Sequence, residues 1–304
     1  MQKSILQFAS PKKELPGVAD MDRALDCTYS IPLSAVSNMD THVKKLTMTP
    51  RQSGGFAAPE PFPVFRIEDD RLHVPRFYGM ATFGPPERNG LTEGIALRDG
   101  VSFCGSMTPQ QEEPLVCTLQ KLRTTGGSLL VRKPGGGKTV LGIRIACELG
   151  RRTLVFCHTS SLLDQWEERI RKFAPDASIG RVQQRRTDVD CDFVLATYQS
   201  VSKRDYGDIF ESFGLAIFDE AHHMGARQFF KVFGKLKCQY VLGLSATPVR
   251  RDGLTCLLHY GLGEVSHRDM GDDMECVDVT ILRYTGDTQR EVKVNNTPCV
   301  PLMI

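Results

Sequence analysis

The chain has 304 residues, a formal net charge of +2 and a 41% hydrophobic content, which is enough to bury one large core or two smaller ones and excludes a wholly disordered chain. A charge so near neutrality excludes a globally basic nucleic-acid binder, so any such contact needs a local surface. The ten cysteines are scattered without a CxxC pair, and no segment reads as a signal peptide or a membrane span, which excludes a zinc ribbon or disulfide framework and implies a reducing, intracellular, non-secreted setting without a membrane partner.

In chain order, residues 1–55 mix Lys, Pro, Ser, Thr and Asp with isolated apolar residues and predict a disordered tail. Residues 56–105 carry FPVFRI and RLHVPRFYGM between Gly and Pro punctuation, predicting a small N-terminal ancillary region with strands. Over 106–270 apolar runs alternate with amphipathic stretches, the pattern of βαβ units and a mostly parallel sheet in an α/β domain. SLLV (128–131), TLVFC (153–157), DFVLATY (192–198), LAIFD (215–219) and YVLGLSAT (240–247) predict its strands. Leu162, Trp166, Ile170 and Phe173 fall at helical spacing, and Trp166 reads as core.

Chemistry belongs at the carboxyl ends of those strands. After SLLV comes VRKPGGGKTVLG, where Gly135, Gly136 and Gly137 let backbone N–H groups converge on phosphate and Lys138 and Thr139 complete the site. The loop departs from GxxxxGK[ST], since Arg132 holds the first glycine's position. Pro134 also removes one backbone donor, so weakened rather than abolished nucleotide binding is expected. LAIF runs into DEAHH, where Asp219 can hold Mg²⁺ and Glu220 can orient and deprotonate a water. Ser245 and Thr247, in SAT, offer hydroxyls to His222. HRD at 267–269 lacks the context of a kinase catalytic loop.

Glycine loop, DEAH and SAT, in this order, resemble motifs I, II and III of superfamily 2 helicases and translocases. MTPQQEEPL resembles the family's adenine-reading element, with Gln111 at its glutamine and Thr108 in place of its arginine. Thr159, Gln165 and Trp166 resemble motif Ia, and Thr197 and Ser200 motif Ib, segments that in the family touch one strand's sugar-phosphate backbone. Over 60–304 the chain is similar to the XPB-like helicases of large nucleocytoplasmic DNA viruses. The resemblance implies a RecA-like P-loop domain of three layers, ATP and Mg²⁺ as cofactors, and DNA as partner, with RNA left open. Within it, Lys138, Glu220 and His222 would be catalytic, Gln111, Gly135, Gly136, Gly137, Lys138 and Thr139 would bind nucleotide, and Thr139 and Asp219 would bind metal. Thr159, Thr197 and Ser200 would meet nucleic acid, and Ser245 and Thr247 would couple the two. A nuclear or viral-replication location follows from the same likeness.

The family closes its nucleotide between two such lobes, and no QxxGR-like arginine motif follows Ser245. Residues 271–304 are expected to lead toward a second lobe that these residues do not contain. Loss of a trans-acting arginine costs on the order of 10³ to 10⁵ in rate, roughly 4 to 7 kcal/mol. The 304 residues alone should therefore bind ATP, hydrolyse it slowly and not unwind a duplex. The alternative is a nucleotide-responsive, non-enzymatic DNA-binding or clamp-tethered module.

MQKSILQFASPKKE places Gln2, Ile5 and Phe8 at the spacing of a PCNA-binding peptide and resembles the N-terminus of eukaryotic DNA ligase I. The other reading is a tail with chance apolar residues. Arg185 and Arg186 read as a solvated surface or part of a DNA path, His223 as a polar loop residue, and Arg250 and Arg251 as contacts to nucleic acid, to the second lobe, or to neither.

Overall fold

A computed structural model of the chain describes residues 22–51, 60–183, 186–204, 206–223, 226–247, 249–250, 252–269, 293–294 and 297–298. The chain divides into a compact unit ending at Asp269 and a second unit of residues 270–304.

The N-terminal part of the first unit is built from β1 (Ala24–Leu25), β2 (Tyr29–Pro32), α1 (Met39–Leu46), β3 (Thr47–Met48), β4 (Phe62–Pro63), β5 (Arg66–Glu68), β6 (Arg71–Val74), α2 (Arg76–Phe83) and β7 (Arg88–Asn89). Five of these strands form a sheet in the order β5-β6-β2-β1-β7. The described half of the expected tail, 22–51, is thus structured. Its short strands bury Leu25, Tyr29 and Ile31 in one cluster with Leu72, Val74 and Tyr78, pairings that lie too far apart in sequence for local periodicity to reveal. RLHVPRFYGM is strand only up to Val74, because Pro75 caps a helix at the position where it cannot donate to a ladder.

This region is not a separate body beside the lobe. Leu254 and Leu257 from the far end of the unit complete its core. Arg76 reaches across to donate to the carbonyls of Cys238 (3.2 Å) and Gln239 (3.0 Å), and burial pulls its guanidinium down to about 10.

The larger part comprises α3 (Pro109–Thr125), β8 (Gly127–Val131), α4 (Lys138–Leu149), β9 (Thr153–Cys157), α5 (Ser160–Phe173), β10 (Ile179–Gln183), β11 (Arg186–Thr187), β12 (Phe193–Thr197), α6 (Tyr198–Lys203), β13 (Leu215–Phe218), α7 (Ala226–Phe233), β14 (Tyr240–Ser245), α8 (Cys256–Leu262) and β15 (Val265–Arg268). Its sheet runs β11-β10-β12-β9-β13-β14-β8-β15, parallel except where β11 turns back on β10. Alternation along the strands sends Leu129, Leu154 and Phe156 to one face with Val201, Val232 and Leu258. Leu130, Val155 and Cys157 face the other way, against Leu119, Leu141 and Trp166. Helices α3 to α5 therefore cover one face and α6 to α8 the other, giving the three layers of an α/β fold. Among the described residues no helix is long and apolar enough to cross a membrane.

In the second unit, β16 (Lys293–Val294) pairs antiparallel with β17 (Thr297–Pro298). Gln2, Ile5 and Phe8, with Arg185 and Arg251, lie outside the described residues.

Candidate functional site

Strands β8, β14 and β13 are consecutive neighbours in the sheet, and their parallel register pairs Ser245 with Val131 and Phe218 with Gly243. The glycine loop, Ser245 and the acids after Phe218 therefore leave the same carboxyl edge side by side. β9 and β12 continue that edge beyond β13, carrying His158, Thr159 and Thr197.

The loop from Arg132 to Gly137 enters α4, with Gly135 and Gly137 both at φ +78°, a left-handed conformation that side chains resist. A methyl at Gly137 would lie 2.1 Å from Gln111 Nε2, so the glutamine amide rests against the loop. The same side chain closes a capping box at the start of α3, its Oε1 accepting from the Thr108 N–H at 3.0 Å and the Thr108 hydroxyl at 3.2 Å. Thr108 thus fixes the glutamine side chain.

Lys138, the first residue of α4, is only 9% exposed. Its Nζ donates to the Arg132 carbonyl (3.2 Å) and sits 3.5 Å from Glu220 Oε1. Thr139 follows it, half-buried. Asp219 is buried and held on both oxygens, Oδ2 by Trp166 Nε1 at 2.8 Å and Oδ1 by the Glu220 N–H at 3.0 Å. The Tyr198 hydroxyl donates to the Asp219 carbonyl at 3.0 Å. Burial pushes the Asp219 carboxyl up, the Trp166 donor opposes this, and the Glu220 charge adds to it. A cation at that carboxylate would relieve the cost.

Glu220 takes φ +45°, which a residue with a side chain adopts at about 1–2 kcal/mol, and such outliers gather at functional sites. Its Oε2 is buried without a hydrogen-bond partner among the described residues, 3.4 Å from His222 Nδ1. Ser245 Oγ and His222 Nδ1 share a 2.8 Å hydrogen bond, and the serine hydroxyl also donates to the Thr247 carbonyl. With the serine proton committed there, His222 Nδ1–H is the donor to Ser245, which sets its tautomer. Burial, with help from the neighbouring His223, lowers the affinity of His222 for a second proton. Thr247 contributes its backbone here, and its side chain is exposed.

An orphaned carboxylate oxygen at Glu220, a destabilised carboxylate at Asp219 and a left-handed glycine loop around a buried lysine suit a magnesium nucleotide. Thr139 and Asp219 are the oxygens that would hold the metal.

The three residues expected to meet nucleic acid stand on the same edge, with their hydroxyls engaged. Thr159 is exposed and caps α5 by accepting from the Leu162 N–H at 3.3 Å. Thr197 is buried, caps α6, and shares a 2.8 Å hydrogen bond with Ser200 Oγ. Trp166 is core, as its spacing predicts, and also the donor to Asp219, which the spacing does not reveal.

Other residues have plain structural roles or new ones. Arg250 is buried, its Nε and Nη2 paired with the two carboxylate oxygens of Asp252. Arg186 is exposed and paired with Asp188. His223 is more than a loop residue, its ring lying 4.1 Å from that of His222 and 5.4 Å from that of His158, centroid to centroid. Burial pushes Cys238 up to about 12 and Cys147 to about 11, which makes both inert as nucleophiles.

Residues 105–250 match the family model described as the type III restriction enzyme, res subunit. The chain is 30% identical over 254 residues to the putative ATP-dependent RNA helicase L396 of Acanthamoeba polyphaga mimivirus, covering 82% of this chain and 49% of that protein. It is 27% identical over 212 residues to the putative helicase 109L of Invertebrate iridescent virus 3, covering 65% of this chain and 63% of that one. Its fold is similar to the crystal structure of the UvsW helicase from bacteriophage T4, with a TM-score of 0.56 and 16% identity over 81% of this chain and 99% of that one. The chain spans about half the length of the mimivirus relative.

Proposed function

We propose that the chain carries a superfamily 2 helicase-type ATPase lobe, which binds Mg-ATP at the β8, β14 and β13 strand ends and hydrolyses it in response to DNA. The loop amides and Lys138 would hold the phosphates, and Gln111 would face the base. Mg²⁺, when bound through Thr139 and Asp219, would neutralise phosphate charge. Glu220 would align the attacking water and take its proton. His222 and Ser245 would report the state of the phosphates to the nucleic-acid side, where Thr159, Thr197 and Ser200 form helix N-termini suited to backbone phosphates.

The observation that carries this reading is the 3.5 Å approach of Lys138 Nζ to Glu220 Oε1. It puts the phosphate-binding cation and the candidate base in one ion pair that a γ-phosphate and its water would separate. The test is ATP turnover by the 304-residue chain with and without DNA, before and after Glu220→Gln. The proposal expects slow turnover that the substitution lowers at least a hundredfold while ATP binding persists. Unchanged turnover removes Glu220 as the base, and ATP binding without any turnover by the wild type leaves a nucleotide-responsive binding module.

The 304 residues alone are proposed not to unwind a duplex, since closure on a strand needs a second lobe. Strand separation by the purified chain would overturn this. The clamp-binding role of Gln2, Ile5 and Phe8 is likewise a proposal. Calorimetry of the N-terminal peptide with PCNA tests it, and equal heats before and after Phe8→Ala would discard it.

A further inference from the structure

Arg132 stands where a standard phosphate loop has its first glycine, and it is 6% exposed. Its partner is Asp269, far away in sequence at the end of β15. Arg132 Nε donates to Asp269 Oδ1 at 3.0 Å and Oδ2 at 3.3 Å. The Lys133 backbone N–H donates to Oδ2 at 3.1 Å, and the Asp269 N–H donates back to the Val131 carbonyl at 3.1 Å. One carboxylate thus receives donors from two successive residues at the entrance of the loop. His267 Nε2 lies 3.4 Å from Oδ1.

Arg132 also underlies the loop. A methyl built on Gly136 would be 3.4 Å from both its Cβ and its Nε, and its carbonyl accepts from Lys138 Nζ. Any shift of Arg132 therefore moves the loop floor and the lysine together. The sequence gives up a backbone donor at Pro134, and the Asp269 carboxylate ties down the loop entrance through Arg132 and Lys133. Burial alone would raise the Asp269 carboxyl, but the Lys133 N–H and the Arg132 guanidinium hold it below the usual carboxylate range, so it stays anionic at neutral pH. A bare anion beside a phosphate site would repel the ligand, and the buried guanidinium neutralises it.

We propose that Asp269 is a positioning residue for nucleotide binding, its carboxylate fixing the phosphate loop through Arg132 and Lys133 and thereby setting the reach of Lys138. This rests on the nucleotide reading of the site given above.

The test is Mg-ATP affinity of the full 304-residue chain as wild type, Asp269→Asn, Asp269→Glu, Arg132→Met and the double variant Asp269→Asn/Arg132→Met, with the melting temperature of each. Asparagine keeps the volume and one acceptor and loses the charge. Loss of charge-assisted hydrogen bonds should weaken ATP binding by about tenfold or more in each of Asp269→Asn and Arg132→Met. The double variant should be no weaker than the worse single, and Asp269→Glu should recover part of the loss. ATP affinity unchanged in Asp269→Asn, with only the melting temperature lowered, overturns the proposal in favour of a purely structural ion pair. Tighter binding in Asp269→Asn overturns it as well, because the carboxylate would then be repelling phosphate. A folded wild type that binds no ATP would remove the nucleotide reading itself, and this inference with it.

Discussion

Trp166 on α5 and Asp219 at the end of β13 share a 2.8 Å hydrogen bond, Nε1 to Oδ2, so a residue placed by helical spacing in the core also holds the first acid of DEAH. Trp166→Phe keeps an aromatic ring in the core and removes the donor, leaving a buried carboxylate oxygen unpaired. Hydrogen bonds to charged groups contribute about 1.5–3 kcal/mol, and a stability loss of that size is expected in urea unfolding. The Asp219 carboxyl, already pushed up by burial, should rise further, so Mg²⁺-dependent ATP binding should weaken most on the acid side of neutrality.

His222 predicts a pH dependence of stability. Its folded-state proton affinity lies below the ordinary value of 6.5, through burial first and the neighbouring His223 second. The unfolded chain then binds more protons in the window beneath 6.5, so stability rises with pH there. The contribution is fully present above 6.5 and is lost as pH falls through the lowered folded value. Thermal melts from pH 7.5 downward should show this acid limb, and His222→Asn should flatten it. An unchanged limb in that variant would assign it to another group.

Gly137→Ala should cripple nucleotide binding by two routes that can be separated. Alanine at φ +78° costs about 1–2 kcal/mol, and its methyl would displace the Gln111 amide, which is also held by the capping box. Gln111→Ala removes only the second element. Loss of the cap should lower stability by about 1 kcal/mol and reduce discrimination between ATP and GTP. Nucleotide competition titrations on the two variants should show Gly137→Ala losing affinity for both nucleotides and Gln111→Ala losing selectivity.

The central strands were legible because each is a short apolar run ending in polar or glycine-rich sequence. SLLV, TLVFC, LAIFD and YVLGLSAT become β8, β9, β13 and β14 within a residue or two. The closeness of Lys138, Asp219 and Ser245 was legible through the rule that ligands gather at carboxyl strand ends. What stayed hidden depends on distant pairing. β1 and β2 are too short for a periodic signal, and their buried residues pack in one cluster with the distant Leu254 and Leu257. β10, rich in polar residues, is held between β11 and β12 and carries little apolar signature. The Trp166–Asp219 and Arg132–Asp269 contacts leave no local trace, since Trp, Arg and Asp at those positions have ordinary readings when seen alone.

Glu220 offers a comparison in which function and stability part. At φ +45° it carries strain that glycine would not. Glu220→Gly and Glu220→Ala both remove the carboxylate facing Lys138 and differ only by the Cβ, so the difference between them reports on the backbone. The glycine variant should be more stable than the alanine variant by ~1 kcal/mol, with ATP turnover lost in both. Equal stabilities in chemical denaturation would mean the backbone there is unstrained.

One shared magnesium-nucleotide pocket at three adjacent strand ends is tested most directly by isothermal titration with Mg-ATP across a double-mutant cycle of Lys138→Ala and Asp219→Asn. The wild-type chain should bind, each single substitution should cost at least about tenfold, roughly 1.4 kcal/mol, and the double should fall short of their sum because both residues hold one ligand. Affinities indifferent to either substitution, or losses that add without coupling, would contradict a shared pocket.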